Sequence, residues 1–135
     1  MIRITLPGTP ITKKNSQQIV YAGGRPMIVP SAQYKAYRET CLKMIPSSAL
    51  ARIDYPINLR CVYYMPTKRR VDLCNLLEAT CDILVDAGVL KDDCSTIVAA
   101  HDGSRVDYDK EQPRVEIEIV PIVGEKAEIG TIQPF

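Results

Sequence analysis

Lys68-Arg69-Arg70-Val71-Asp72 sets three cations against a carboxylate, and Asp92-Asp93 adds two more acids further along the chain. Cations beside carboxylates suit a site that holds a polyanion and a divalent metal together. The implied reaction class is phosphodiester cleavage, in which a metal polarises the phosphoryl oxygen and generates hydroxide. Magnesium asks for a few carboxylates, water and substrate oxygens in octahedral geometry. Asp72, Asp92 and Asp93 are suitable ligands. The plainer alternatives are that Asp72 only caps a helix and that Asp92-Asp93 only marks a turn; motifs this short arise often by chance.

Other polar residues carry less chemistry. Glu78, Asp82 and Asp86 form an acidic stripe with Asn75, and a stripe at helical spacing usually faces solvent. That reading suits Asp82 and Asp86, while Glu78 is close enough to Asp72 to serve as an outer ligand. His101 is the only histidine, and the chain has no G-x-S-x-G motif to partner it. A structural or phosphate-neighbouring role is expected for it. Gly23-Gly24 and Gly103 fit no phosphate-loop pattern. The five cysteines (Cys41, Cys61, Cys74, Cys81, Cys94) are odd in number and contain no C-x-x-C pair. This speaks against a disulfide framework or zinc site and for reduced, mostly buried thiols.

The elements that must position these residues follow from periodicity. Residues 2–6 alternate as a strand, and Pro7-Gly8-Thr9-Pro10 breaks it. Gln18–Tyr21 and Pro26–Val29 flank Ala22-Gly23-Gly24-Arg25, a hairpin turn. Ser31 caps a helix carrying Tyr34, Tyr37, Cys41, Met44 and Ile45, which Pro46 closes. Residues 47–55 read as a loop and 57–63 as a half-exposed strand. Asp72 and Gly88 bound a second helix with Leu73, Leu76, Leu77, Thr80, Ile83, Leu84 and Ala87 on one face. A strand near Ser95–Ala100, a loop His101–Arg105 and a strand Arg114–Val120 complete the fold. The strand–helix–strand unit of 57–100 should be a right-handed crossover with parallel strands. The expected class is α+β or mixed α/β: a small mixed sheet with two main helices.

Composition sets the limits. The 135 residues are 46% hydrophobic and 24% charged, as for an ordinary globular domain. No apolar run is long enough for a membrane span, and no signal peptide is visible, so the expected location is cytoplasmic. A net charge of +1 leaves any nucleic-acid binding to local patches. These are Lys13-Lys14, Lys35 with Arg38, and Lys68-Arg69-Arg70, each of which alone reads as solvated surface.

The chain resembles the RusA family of Holliday-junction resolvases. The resemblance rests on Arg69-Arg70-Val71-Asp72-Leu73-x-Asn75-Leu76, the following helix with Asp82, Ala87-Gly88 leading to Lys91-Asp92-Asp93, and the early Pro10–Asn15 loop. It spans most of residues 1–120, leaving 121–135 as a C-terminal tail. It implies a magnesium-dependent, homodimeric endonuclease that cuts four-way DNA junctions in recombination and repair. Asp72 and Asp93 correspond to catalytic carboxylates, Asn75 to an active-site position, and Asp92 to the partner of Asp93. The chain departs from the family pattern at Cys74, where a third aspartate is typical, and at Glu78, where a lysine is common. Glu78 is then a partial replacement for the missing acid, and Lys91 a group that could steady the leaving oxygen. In this scheme Lys68, Arg69 and Arg70 hold phosphates flanking the cut. Lys13, Lys14 and Arg38 extend the path along the junction arms, with Asn15 in the same loop. A catalytically weakened, junction-binding member of the family is the alternative, and an unrelated interaction domain whose carboxylates only cap helices is a third.

A helix of about 15 residues is roughly 22 Å long, whereas magnesium–oxygen bonds are only about 2.1 Å. Asp72 and Asp93 lie at opposite ends of such a helix. Unless the 89–92 turn folds far back, they cannot share one ion within a chain. A two-fold dimer with antiparallel helices would join Asp72 of one subunit to Asp93 of the other.

Overall fold

The computed structural model describes residues 1–13 and 17–122. Lys14, Asn15 and the tail from 123 lie outside the described residues. The elements run β1 (Ile2–Pro7), β2 (Gln17–Ala22), β3 (Arg25–Pro30), α1 (Ala32–Met44), β4 (Ile57–Met65), α2 (Leu73–Ala87), β5 (Val98–Ala100), β6 (Arg105–Tyr108) and β7 (Arg114–Pro121). β2 and β3 form a separate hairpin that turns at Gly23-Gly24, both with positive φ. The remaining strands build one mixed sheet in the order β1-β7-β4, with β5 and β6 both pairing with β4.

The register lines up the apolar rows. Ile4 faces Ile117, which faces Cys61; Leu6 faces Val115, which faces Tyr63. Side chains alternate across a strand, so these rows share one face, and all of them are buried. Cys41 and Ile45 of α1 and Leu76, Ile83 and Leu84 of α2 complete the same core. The opposite face carries Arg3, Thr5, Arg60, Glu116 and Glu118 around an open groove. The result is two layers, helices on one face of a sheet, as expected for an α+β domain. No described helix is long and apolar enough to cross a membrane.

Both helix starts behave as their sequences demand. The Ser31 hydroxyl accepts from the Tyr34 amide and the Asp72 carboxylate from the Cys74 amide. Gly88 ends α2 in the left-handed conformation, φ 92°. A buried Tyr63 hydroxyl, 2.7 Å from Thr80 Oγ1, ties β4 to α2. Thr80 in turn donates to the Leu76 carbonyl, so both hydroxyls are satisfied.

Three expectations need correction. Residues 47–55 are not all loop: Ser47–Ala49 form a 3₁₀ turn, and Ile53 bridges Leu90. The strand near Ser95–Ala100 shrinks to Val98–Ala100, because Ile97 and Val98 instead turn back onto the Cys94 carbonyl. The loop His101–Arg105 ends early, since Arg105 opens β6, a strand of only four residues. The expected parallel pairing of β4 with β5 is present, and β6 continues it.

Between these two pairings the partner of β4 bulges. Asn58 faces Ala100 and Val62 faces Arg105, so four steps on β4 meet five on the other side. Side chains fill the gap in the ladder. His101 Nδ1 lies 2.9 Å from the Leu59 carbonyl, Ser104 Oγ donates to that same oxygen, and the Cys61 amide donates to Ser104. Asn58 closes the loop by exchanging two bonds with the Asp102 backbone. Gly103 sits at its tip with φ +85°. Gly103→Ala should cost about 1–2 kcal/mol, chiefly from the left-handed backbone, because the Arg60 side chain that a Cβ would meet can move aside. The urea midpoint checks this.

Candidate active site

The chain leaving α2 takes the fold-back that the helix-length argument left as its exception. Left-handed Gly88 reverses its direction, and Val89 and Leu90 are driven into the core, 0% and 1% exposed. The Ile53 amide donates to Val89 and the Lys91 amide to Ile53, which draws the segment along its neighbour. Six residues can extend roughly 20 Å, enough to run back beside the helix. Asp93 therefore lines a cavity of about 340 Å³ together with Cys74, Leu77, Glu78, Cys81 and His101. Asp93 meets the first half of α2 within one subunit. The requirement for an antiparallel partner helix to bring the ends together is thereby removed.

The other acids are placed differently. Asp72 and Asp92 do not line the cavity. Asp72 Oδ1 accepts from the Cys74 amide at 2.9 Å and Asp92 Oδ1 from the Asp93 amide at 2.8 Å. Each carboxylate spends one oxygen on a backbone amide and keeps the other. Capping and metal ligation are thus compatible at both positions. Asn75 is half-buried on α2, and Lys91 is exposed and outside the cavity. Glu78, by contrast, lies on the cavity wall.

Two cations are engaged elsewhere. Lys13 Nζ lies 2.8 Å from Asp82 and Arg38 Nη2 lies 2.6 Å from Asp86. These pairs, with Tyr34, line a second cavity between α1 and α2. The acidic stripe of α2 is consequently not just a solvated face: half of it anchors the N-terminal loop and α1. Asp82, through a hydrogen bond, holds Lys13 above the ordinary lysine range, and Asp86 does the same for Arg38. Each pair is half-exposed and should contribute no more than about 1 kcal/mol. Lys68, Arg69 and Arg70 remain exposed and free of ion pairs among the described residues. Lys68 rests over the Tyr108 ring at 5.2 Å.

Cys81 and His101 had no motif to reveal them as cavity residues. Burial pushes the Cys81 thiol up to about 12, with the Asp93 carboxylate adding to the effect. Cys81 is therefore an inert protonated wall. The described cysteines are all free; Cys41, Cys61 and Cys81 are buried, Cys74 and Cys94 exposed.

Among the described residues, no three His, Cys, Asp or Glu side chains converge on one point to cage a metal ion. Magnesium is usually held by one or two carboxylates, with water and substrate phosphate supplying the rest. Glu78 and Asp93 are the two carboxylates in the lining of the cavity.

A cavity in which Glu78 and Asp93 meet His101, in a chain that leaves Lys68, Arg69 and Arg70 exposed, is what these elements build. Residues 7–120 match the family model of endodeoxyribonuclease RusA. The crossover junction endodeoxyribonuclease rusA of Enterobacteria phage 82 is 36% identical over 95 residues, 70% of this chain and 75% of that protein. RusA of Shigella sonnei (strain Ss046) is 35% identical and that of Escherichia coli (strain K12) 34% identical over the same lengths. The chain belongs to the RusA family of endodeoxyribonucleases.

Proposed function

We propose that this protein is a magnesium-dependent, structure-selective endonuclease that cuts four-way DNA junctions by paired phosphodiester hydrolysis. The observation that carries this reading is the return of Asp93 to line one cavity with Glu78 of α2, the helix that follows the basic run 68–70. Glu78 and Asp93 would hold the metal, with the uncommitted oxygens of Asp72 and Asp92 in reserve. When bound, the metal would polarise the phosphoryl oxygen and lower the pKa of its water. Lys68, Arg69 and Arg70 hold flanking phosphates, and such contacts position DNA without reading its sequence. Lys91, exposed near the Asp pair, is the group to steady the departing oxygen. Paired nicks call for two sites, and a homodimer supplies them by symmetry; sedimentation of the free protein tests that state.

The decisive test is incubation with a synthetic four-way junction with and without magnesium. Symmetric nicks that require the metal support the reading, and no cleavage with any divalent metal refutes it. Asp72→Asn separates two roles, because asparagine caps a helix as well as aspartate does. Unchanged stability with cleavage lost would assign Asp72 to the chemistry; unchanged cleavage would leave it a cap.

One observation favours a second reading. Cys74 occupies the cavity wall where a carboxylate would add a third acid, and cysteine is a poor magnesium ligand. A junction-binding protein with weakened catalysis would shift the junction in a gel and leave it uncut.

The cations differ in expected effect. Removing Arg69 and Arg70 together should lower the slope of log affinity against log salt by about 1.8, at roughly 0.9 per phosphate contact. Lys13→Ala should change it less, since Asp82 already neutralises that ammonium. Fluorescence anisotropy of a labelled junction across a salt series measures both.

A further inference from the structure

The unassigned group in the cavity is His101. It reaches the cavity from the β5–β6 bulge, where it joins Glu78 of α2 and Asp93, and no motif in the chain announces it. Its Nδ1 lies 2.9 Å from the Leu59 carbonyl oxygen. A carbonyl can only accept, so Nδ1 carries the proton and a neutral ring has its lone pair on Nε2. That bond fixes both the tautomer and the ring plane, the device by which proteins aim a working imidazole. The Ser104 and Asn58 bonds hold the same loop. A histidine needed only to patch the sheet would gain nothing from also facing a cavity with Glu78 and Asp93.

We propose that His101 is a catalytic residue of this nuclease, with Nε2 accepting a proton from the water that attacks the phosphodiester. The water oxygen forms the new bond to phosphorus as the bond from phosphorus to the leaving sugar oxygen breaks. The water's proton passes to Nε2, and the departing oxygen takes a proton from solvent. The proposal rests on the nuclease reading above and adds a residue to it.

The test uses the full chain on a synthetic four-way junction in magnesium. His101→Asn places an amide N–H where Nδ1 was, so it can keep the Leu59 bond while removing Nε2. Its junction affinity should stay within about twofold, and its cleavage rate should fall about 10²–10⁴-fold, the span of general base catalysis. His101→Ala should lose cleavage likewise and regain part of it in added imidazole, whereas Asp93→Asn should not respond to imidazole. Rescue by imidazole is a readout that a purely structural histidine would not give. A parent that cuts alongside a His101→Asn variant that cuts within threefold of it overturns this proposal alone. So does a His101→Ala variant that folds, lacks activity and ignores imidazole. A parent that never cuts overturns the nuclease reading, and this one falls with it.

Discussion

Asp93→Asn should abolish junction cleavage while leaving junction binding intact. The carboxylate lines the cavity with His101 and Glu78, and its side chain has no hydrogen-bond partner among the described residues that the substitution would break. In its proposed role as a metal ligand, loss of this charge would remove several kcal/mol of transition-state stabilisation, and each 1.36 kcal/mol is tenfold in rate. A fall of about 10³-fold or more in single-turnover cleavage is expected. Affinity for the junction should hold or rise slightly, because one negative charge leaves a surface that meets a polyanion. Glu78→Gln should be milder if Glu78 only supplements the set, and equally severe if the two acids share the metal. A variant at Asp93 that cuts within threefold of the parent would remove the cavity from the reaction altogether.

The second large effect is on stability. Leu84 is fully buried in the core shared by the sheet and α2. Truncation to alanine removes apolar contacts and leaves a cavity, at about 2–5 kcal/mol. That is a large part of the 5–15 kcal/mol holding a typical domain together. Leu84 belongs to the same cluster as Val89 and Leu90, the residues that turn the chain back toward Asp93. The Leu84→Ala variant should therefore lose cleavage on mild warming, well before the parent does. Leu50, 45% exposed, provides the control: Leu50→Ala should stay within about 0.5 kcal/mol. Chemical denaturation of the two variants side by side checks the contrast. An equal, small effect at both positions would mean that the helix–sheet layer does not carry the fold.

The legibility of the elements tracked how local their signals are. Ser31 and Asp72 cap the helices they were expected to cap, since a cap is a bond between neighbours two or three residues apart. β7 alternates as read, and the Gly23-Gly24 hairpin lies where its turn chemistry placed it. β6, Arg105–Tyr108, alternates polar and apolar residues, but four residues are too short a run to stand out from a loop. The acidic stripe of α2 was misjudged for a related reason. Helical spacing assigns residues to a face but does not say that Lys13 and Arg38 will cover it.

Legible in the residues alone were the two helices with their caps, the alternating strands, the class of a small mixed sheet with two helices, and the family resemblance carried by the 69–76 and 91–93 runs. Each is written in periodicity or in neighbours close along the chain. It took the packed fold to show that Asp93 comes back to Glu78 in the same subunit, that His101 joins them from the β5–β6 connection, and that two cations are held by α2. Helix length is a local quantity, and it argued that the two ends stay apart. The direction taken after Gly88 depends on where Val89 and Leu90 find a core and on what Ile53 offers their backbone. Those partners lie tens of residues away, beyond the reach of any periodic pattern.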